Sequence, residues 1–264
     1  ASPNELLSSS EQFGQVVASP SNLLIWHTVF MFLTFLIVSA GVEDGIGRMV
    51  KILMPMLGFL LIFMVIYGMI NGAFIKALAF LFAPDFSSVG TDTFLSAMGQ
   101  AFFSMSLGMG SIMAYGAYMP KDQEIVSTSF SVGSLDTLVA ILAGLAIFPI
   151  IFAFNLEPGA GPGLVFVSLL SAFNQMEFGH LIGPIFFILL SIAALSSSIS
   201  ILEPGVAYLA EEDFLSRKKS AIVISILCWL IGIGTATGFN IFSVVDESGE
   251  SINPFLNMME LISV

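Results

Sequence analysis

The segment MGQAFFSMSLGMGSIMAYGAY places serine hydroxyls beside glycines in an otherwise apolar stretch. Glycine destabilises a helix interior by about 1 kcal/mol relative to alanine, and Gly108 and Gly110 concentrate that weakness near its middle. A membrane helix that unwinds there frees backbone carbonyls for a cation and amides for an anionic group. Close packing through small residues is the alternative. Packing does not account for the neighbouring Gln100, Ser104 and Ser106.

A run of hydroxyls lies in the middle of a second apolar stretch, FFILLSIAALSSSISILEPG. Ser196, Ser197 and Ser198 are consecutive and Ser200 follows, so on a helix these side chains surround most of the circumference. A lone serine often bonds only to its own helix carbonyl, but at least one of these hydroxyls must face protein rather than lipid. Hydroxyl and carbonyl oxygens are hard ligands, and they suit a small cation such as sodium. A purely structural role is the alternative.

A single carboxylate, Asp136, precedes a long apolar run. An acid at membrane depth is by default a functional candidate that pairs with a cation, a proton or a polar neighbour. The alternative is that a helix begins near Ser134 and that Asp136 caps its amino end. Glu203, which is followed by Pro204, is expected to be a structural hydrogen-bonding or gating group rather than a ligand.

The composition indicates that a lipid bilayer surrounds these groups. The 264 residues are 56% hydrophobic and only 10% charged, with a mean hydropathy of +0.98, whereas soluble proteins carry roughly a quarter charged residues. A water-soluble fold is therefore excluded, and the net charge of −12 excludes a nucleic-acid partner. The single cysteine excludes an internal disulfide or a thiolate metal cluster. No motif pairs a nucleophile with a base, so neither an enzyme nor a catalytic residue is predicted.

The gaps between charges define the membrane spans. Because a helix needs about 20 apolar residues to cross a ~30 Å hydrocarbon core, the sequence predicts an all-α polytopic membrane protein, with residues 1–264 in a single transmembrane domain. Residues 1–21 are expected to form an external loop and 254–264 to begin a further helix. Short helices are expected within 72–93 and 155–180, with ordinary interfacial loops as the alternative. Six complete spans are predicted at 22–42, 50–71, 94–118, 125–154, 181–208 and 219–239.

The basic residues predict the orientation. All of the seven Lys and Arg except Lys76 fall in alternate connections, which the positive-inside rule places in the cytoplasm. Residue 1 is then extracellular or periplasmic, in a multi-pass protein of the cell membrane. The chain does not begin with Met and it ends within an apolar pattern. We therefore expect an internal piece of a longer chain of the size of a transporter, completed by further helices of the same chain.

Five segments, in this order, together resemble the bacterial branch of the neurotransmitter:sodium symporter family. They are GQAFFSMSLGMG, YMPKDQEIV, AGLAIFP, GPGLVFVSLL and AALSSSISILEPGVAYLAEE with SRKK after it. The resemblance extends from about Trp26 to Lys219 and implies part of an inverted five-helix-repeat bundle. This family is itself the standard example of broken helices with a midplane site. The implied activity is sodium-coupled symport of an amino acid by alternating access.

The resemblance also implies two sodium ions. Ser104 and Asp136 correspond to ligands of the first ion, although the family has Asn where Asp136 stands. The carbonyl of Ala193 and the hydroxyls of Ser196 and Ser197 correspond to ligands of the second ion.

Gln100 and Ser104 also match positions of the family's chloride site. The negative charge of Asp136, and Ala140 near the place where chloride-dependent relatives carry a serine, predict chloride independence.

The implied substrate pocket consists of Phe103, Ser106, Met109, Ser198 and Ile201, with Phe103 as the lid. Methionine is unbranched and adapts its shape, so Met109, where many relatives carry an aromatic residue, favours a hydrophobic or aromatic L-amino acid. Two alternatives remain open. One is a proton-coupled carrier in which Asp136 takes up the proton, and the other is a non-transporting receptor or channel-like relative.

Overall fold

The computed structural model describes residues 3–83, 86–159, 161–212, 214–245 and 251–254. Its helices are α1 Pro3–Ala18, α2 Pro20–Ser39, α3 Arg48–Asn71, α4 Phe74–Phe82, α5 Thr91–Ser104, α6 Ser111–Ala117, α7 Ile125–Ala153, α8 Gly161–Gly163, α9 Leu169–Gln175, α10 Gly179–Glu211 and α11 Arg217–Thr237. Wider π-helical turns at Val42–Gly47 and Leu164–Ser168 lead into α3 and α9, and Phe86–Ser88 forms a 3-10 turn. Strands β1 Val244–Val245 and β2 Ser251–Ile252 pair antiparallel, with Val244 opposite Ile252.

Five helical segments of the described chain are long and apolar enough to cross a membrane: Pro20–Ser39, Val42–Asn71, Ile125–Ala153, Gly179–Glu211 and Arg217–Thr237. They overlap five of the six predicted spans, and only Val42–Asn71 begins well before its predicted start. The remaining span, 94–118, contains α5 and α6 with non-helical backbone between them. The prediction of a helical, polytopic membrane protein is therefore confirmed.

The amino-terminal segment differs from its prediction. Residues expected to form an external loop form helix α1 instead. Pro3 stands at the first position of this helix, where the fixed φ of proline favours helix initiation. Phe13, Val16 and Val17 recur at helical spacing, a pattern that the polar composition of the segment obscures. At the other end of the chain, the helix predicted over 254–264 lies, apart from Pro254, outside the described residues.

The chain divides into two compact units, whereas the sequence predicts a single domain. The first unit comprises Ala1–Ser10 and Leu53–Ala193, and the second comprises Glu11–Ile52 and Ala194–Val264. The single-domain organisation stays a prediction. The core of the first unit is built from α3, α7, α9 and the start of α10, with Leu61, Met64, Val65, Ala146, Ile150, Ile151, Leu169, Ala172, Phe173, Ile182 and Phe186 among its buried side chains.

In the first unit, contacts around Pro149 fix helix α7, which carries Asp136. The amide of Ala73, just after α3, donates to the carbonyl oxygen of Pro149 at 2.8 Å. A Cβ at Gly72 would lie 2.8 Å from the Cβ of Pro149, so only glycine permits this approach. The ring of Phe80 on α4 lies 4.8 Å from that of Phe148 on α7. These contacts hold α7 against both α3 and α4.

In the second unit, an ion pair ties α11 to α10. Arg217 donates to both carboxylate oxygens of Glu203, at 3.0 and 2.7 Å, and to the carbonyl oxygen of Val38 at 3.3 Å. The Glu203 side chain is fully buried. The structural hydrogen-bonding role expected for Glu203 is therefore confirmed, and the pair also engages the end of α2.

Helices α2 and α11 of the second unit are joined a few turns from this pair. The indole nitrogen of Trp229 donates to the Thr28 hydroxyl at 3.0 Å, and His27 Nε2 lies 3.1 Å from the Trp229 carbonyl oxygen. A Cβ at Gly232 would clash with His27 Cε1. The imidazole thus occupies space that a side chain at 232 would need.

Candidate ion and substrate site

The helical backbone breaks between Ser104 and Ser111, at the place where the sequence predicts unwinding. Helix α5 ends at Ser104 and α6 begins at Ser111. Between them, Ser106 has a φ of 54° and Gly110 a φ of 76°, both in the left-handed region that interrupts an α-helix. The predicted break is confirmed. The carbonyl end of α5 carries partial negative charge, which favours a cation near Ser104.

The glycines of this segment are poorly explained by close helix packing. A Cβ built at Gly99, Gly108 or Gly116 meets no other atom within 4 Å in the described part of the chain. Small residues at a packing interface would instead have a neighbouring helix in contact. The backbone break accounts for Gly108 and Gly110, whereas Gly99 and Gly116 lie within α5 and α6.

Asp136 and Ser104 meet although 32 positions separate them in the chain. The Ser104 hydroxyl donates to Asp136 Oδ2 at 2.6 Å. Helix α7 begins at Ile125, with Glu124 as its cap, so Asp136 lies well inside the helix. The alternative that Asp136 caps a helix start near Ser134 is therefore wrong. One carboxylate and one hydroxyl lie together at the break, and both offer oxygen to a cation.

The other predicted residues of the first unit are close to this pair along the chain, and two of them are exposed. Phe103 is 64% exposed and Met109 is 39% exposed. Gln100 lies one turn before Ser104 on α5, and Ala140 lies one turn after Asp136 on α7. The side chain of Ala140 offers no oxygen, whereas Asp136, one turn earlier on α7, offers a carboxylate.

The predicted hydroxyl cluster lies on α10, which is helical throughout Gly179–Glu211. Ser200 donates to the carbonyl oxygen of Ser196 at 3.1 Å. Ser197 is exposed, and Ile201, one turn further on, is 53% exposed. Ser197 and Ile201 therefore share an open face of the helix.

Ser198 has a different environment, which sequence reasoning missed. Its hydroxyl lies 2.8 Å from the hydroxyl of Thr34 on α2, and Thr34 is only 1% exposed. The sequence offers one indication, which is that Thr34 is a hydroxyl residue in the apolar run LLIWHTVFMFLTFLIVSA. Thr28 lies in the same run, so the sequence does not distinguish the two. Only the fold shows which threonine meets α10.

Comparison with known proteins identifies the type of protein that carries this site. The sequence model of the "Sodium:neurotransmitter symporter family" matches residues 6–264. Uncharacterized sodium-dependent transporters of Bacillus subtilis (YhdH) and Haemophilus influenzae are each 36% identical, over 90% of this chain and over 53% and 52% of their own lengths. The crystal structure of MhsT in complex with L-phenylalanine matches with a TM-score of 0.82 and 42% identity, over 97% of this chain and 58% of that one.

The chain thus spans about half the length of the curated relatives that it matches. This chain contains the broken helix, the Ser104–Asp136 contact and the hydroxyl cluster of α10. The resemblance seen in the five sequence segments is confirmed across nearly the whole chain. On this match, the chain belongs to the sodium:neurotransmitter symporter family, a family of membrane transporters.

Proposed function

We propose that this chain is part of a sodium-coupled amino-acid symporter that works by alternating access. The observation that carries the proposal is the 2.6 Å contact between Ser104 and Asp136 beside a broken helix. Relatives named sodium-dependent transporters support sodium as the coupling ion. The protein is proposed to lie in the cell membrane with residue 1 on the outside, and to be completed by helices beyond this chain.

The first sodium ion is proposed to bind Ser104 and Asp136. A cation near the Asp136 carboxylate would be attracted by its charge, and the Ser104 hydroxyl would turn its proton away and offer a lone pair. The carboxylate would place a negative charge beside the ion. Transport is therefore proposed to be independent of chloride. The Asp136 carboxylate would balance the charge of the sodium ion, so no chloride would be needed at Gln100 and Ser104.

The second sodium ion is proposed to bind α10 through the carbonyl of Ala193 and the hydroxyls of Ser196 and Ser197. Oxygen ligands without formal charge suit an alkali ion, which is bound weakly enough to be released. The exposure of Ser197 supports this role, because a ligand must be reachable from the ion pathway.

The substrate is proposed to be a hydrophobic or aromatic L-amino acid. Phe103 and Met109 lie at or near the break and are exposed, and a flexible methionine adapts to bulky side chains. Ser106, at the break itself, and Ile201 on the second unit are proposed as further contacts, with Phe103 as the lid. The related structure with L-phenylalanine bound supports an aromatic substrate.

Coupling follows if sodium and substrate favour the same conformation. A ligand shifts a conformational equilibrium only by its difference in affinity for the two states. Non-helical backbone at membrane depth is tolerated where it lines a cavity, and a bound cation would stabilise the carbonyls of such a segment. Sodium would thereby organise the break for the amino acid, and the occupied site would then close and open to the cytoplasm.

Uptake into proteoliposomes made with the full-length protein tests this function. Labelled L-phenylalanine is supplied with an inward sodium gradient, with equal pH on both sides and with gluconate in place of chloride. We expect accumulation, which collapses when sodium is equal on both sides. Accumulation that requires a pH gradient would instead support the proton-coupled carrier with Asp136 as the proton acceptor. Sodium-dependent binding without exchange of bound substrate would support the receptor.

A further inference from the structure

The contact between Thr34 and Ser198 is a partly buried hydroxyl pair between two helices of the second unit. The two oxygens lie 2.8 Å apart. Thr34 Oγ1 also lies 3.0 Å from the Phe30 carbonyl oxygen, and Ser198 Oγ lies 2.9 Å from that of Leu195. Each hydroxyl therefore has two neighbours, one on its own helix and one on the other helix.

These three short contacts share only two protons. Each hydroxyl has one proton to donate, so only two of the three contacts are hydrogen bonds at any one time. When the hydroxyls bond to each other, one of them still donates to its own helix carbonyl. The other helix carbonyl still has a hydrogen bond, because its oxygen already accepts one from a backbone N–H of its own helix. The bond between the helices therefore forms in either direction without leaving a buried polar group unsatisfied.

The position of Ser198 on α10 separates it from the open face of that helix. Ala194, Ser197 and Ile201 are exposed and spaced three and four residues apart, so they lie on one face. Successive residues of an α-helix are rotated by about 100°, and Ser198 is rotated by that angle from Ser197 towards α2. The neighbouring Ile199 and Leu202 are buried.

We propose that Thr34 is a positioning residue that, through Ser198, fixes the rotation of α10 and so presents Ser197 to the second sodium ion and Ile201 to the substrate. Ser198, which the family resemblance places in the substrate pocket, is here an anchor rather than a substrate contact. This inference rests on the proposed function, because it assumes that Ser197 binds sodium. It assigns a role in ion affinity to a buried threonine of another helix.

The test compares two threonines of the same helix. Thr34→Val removes the hydroxyl at nearly constant volume, while Thr34→Ser keeps it. Thr28→Val is the matched control, because Thr28 donates to the Leu24 carbonyl in the same way and accepts a bond from Trp229 on α11 rather than from α10. Saturable binding of radioactive sodium to the purified full-length protein is measured for each variant by scintillation proximity.

We expect Thr34→Val to raise the half-saturating sodium concentration about threefold to tenfold, the range that a single hydrogen bond supplies. Thr34→Ser is expected to restore the wild-type value. Thr28→Val is expected to leave sodium binding unchanged even where it lowers the melting temperature. Ser198→Ala is expected to reproduce the shift, which allows the test to proceed if Thr34→Val does not fold. The double variant of Thr34→Val and Ser198→Ala is expected to add nothing further.

Equal shifts for Thr28→Val and Thr34→Val would overturn the inference, since both would then act through general stability. An unchanged value in Thr34→Val or in Ser198→Ala would overturn it as well, with the proposed function left intact. A wild-type protein without saturable sodium binding would overturn the proposed function and this inference together. The wild-type measurement therefore distinguishes the two failures.

Discussion

The Ser104 hydroxyl donates to the Asp136 carboxylate at 2.6 Å, across the gap between a helix that ends and a helix that continues. The serine lies at the carbonyl end of α5, whereas the aspartate lies well inside α7. One group is therefore placed by a backbone break and the other by an unbroken helix. The affinity for an ion bound between them would therefore depend on the geometry of the break.

Neutralising this carboxylate is expected to weaken sodium binding. Asp136→Asn keeps the size of the side chain but removes its charge, and with it the attraction between unit charges, which is about 4 kcal/mol at 4 Å near a protein surface. We expect the half-saturating sodium concentration for uptake to rise at least about tenfold. Asp92→Asn makes the same change in charge in the first turn of α5 and is expected to have no effect. If the two substitutions had equal effects, the loss of sodium affinity would come from the change in net charge rather than from a binding site at Asp136.

A side chain at Gly110 is expected to destabilise the protein. Gly110 has a φ of 76°, and the left-handed conformation costs an L-residue roughly 1–2 kcal/mol. Gly110→Ala should lower the midpoint of thermal unfolding in detergent. Gly99→Ala is the control, because Gly99 is helical and a Cβ there meets open space. That variant should be as stable as the wild type or more stable, since alanine favours a helix by about 1 kcal/mol. A stable Gly110→Ala protein would argue against the break.

Removing Arg217 is expected to destabilise the second unit strongly. Glu203 is fully buried and Arg217 is only 25% exposed, and breaking a buried pair leaves an uncompensated charge at a cost of about 3–5 kcal/mol. Arg217→Met should therefore lower the unfolding midpoint far more than Arg48→Met, whose partner Asp44 is exposed. The double variant of Arg217→Met and Glu203→Gln should recover much of the loss. A double variant no more stable than Arg217→Met alone would contradict the pairing.

A methyl group at position 232 is expected to conflict with His27. The added Cβ of Gly232→Ala would clash with His27 Cε1, and overpacking of this kind costs about 1–3 kcal/mol. Thermal unfolding should detect the loss, and His27→Ala in the same chain should relieve it. Gly58→Ala, at a helical position with open space for a Cβ, controls for the change in composition. Failure of His27→Ala to relieve the loss would show that another neighbour is responsible.

The spans and the helix break could be predicted because their causes are local. Long apolar runs force helices in a bilayer, since the backbone must satisfy its own hydrogen bonds there. Gly108 and Gly110 weaken a helix in any tertiary context, and both lie within the break. Helix α1 was missed because its composition is polar and its apolar spacing is sparse. The contact of Ser104 with Asp136 was anticipated only through the resemblance to a family.

The sequence by itself determined which stretches form helices long and apolar enough to cross a membrane, where the broken helix unwinds and to which family the chain belongs. These features follow from local composition and from short motifs. Tertiary structure alone decided that Ser198 meets Thr34 and not Thr28, and that Glu203 pairs with Arg217. The two threonines lie in the same apolar run with similar neighbours. The rotation of one helix against another depends on the packing of all their side chains together, and no single segment of the sequence contains that information.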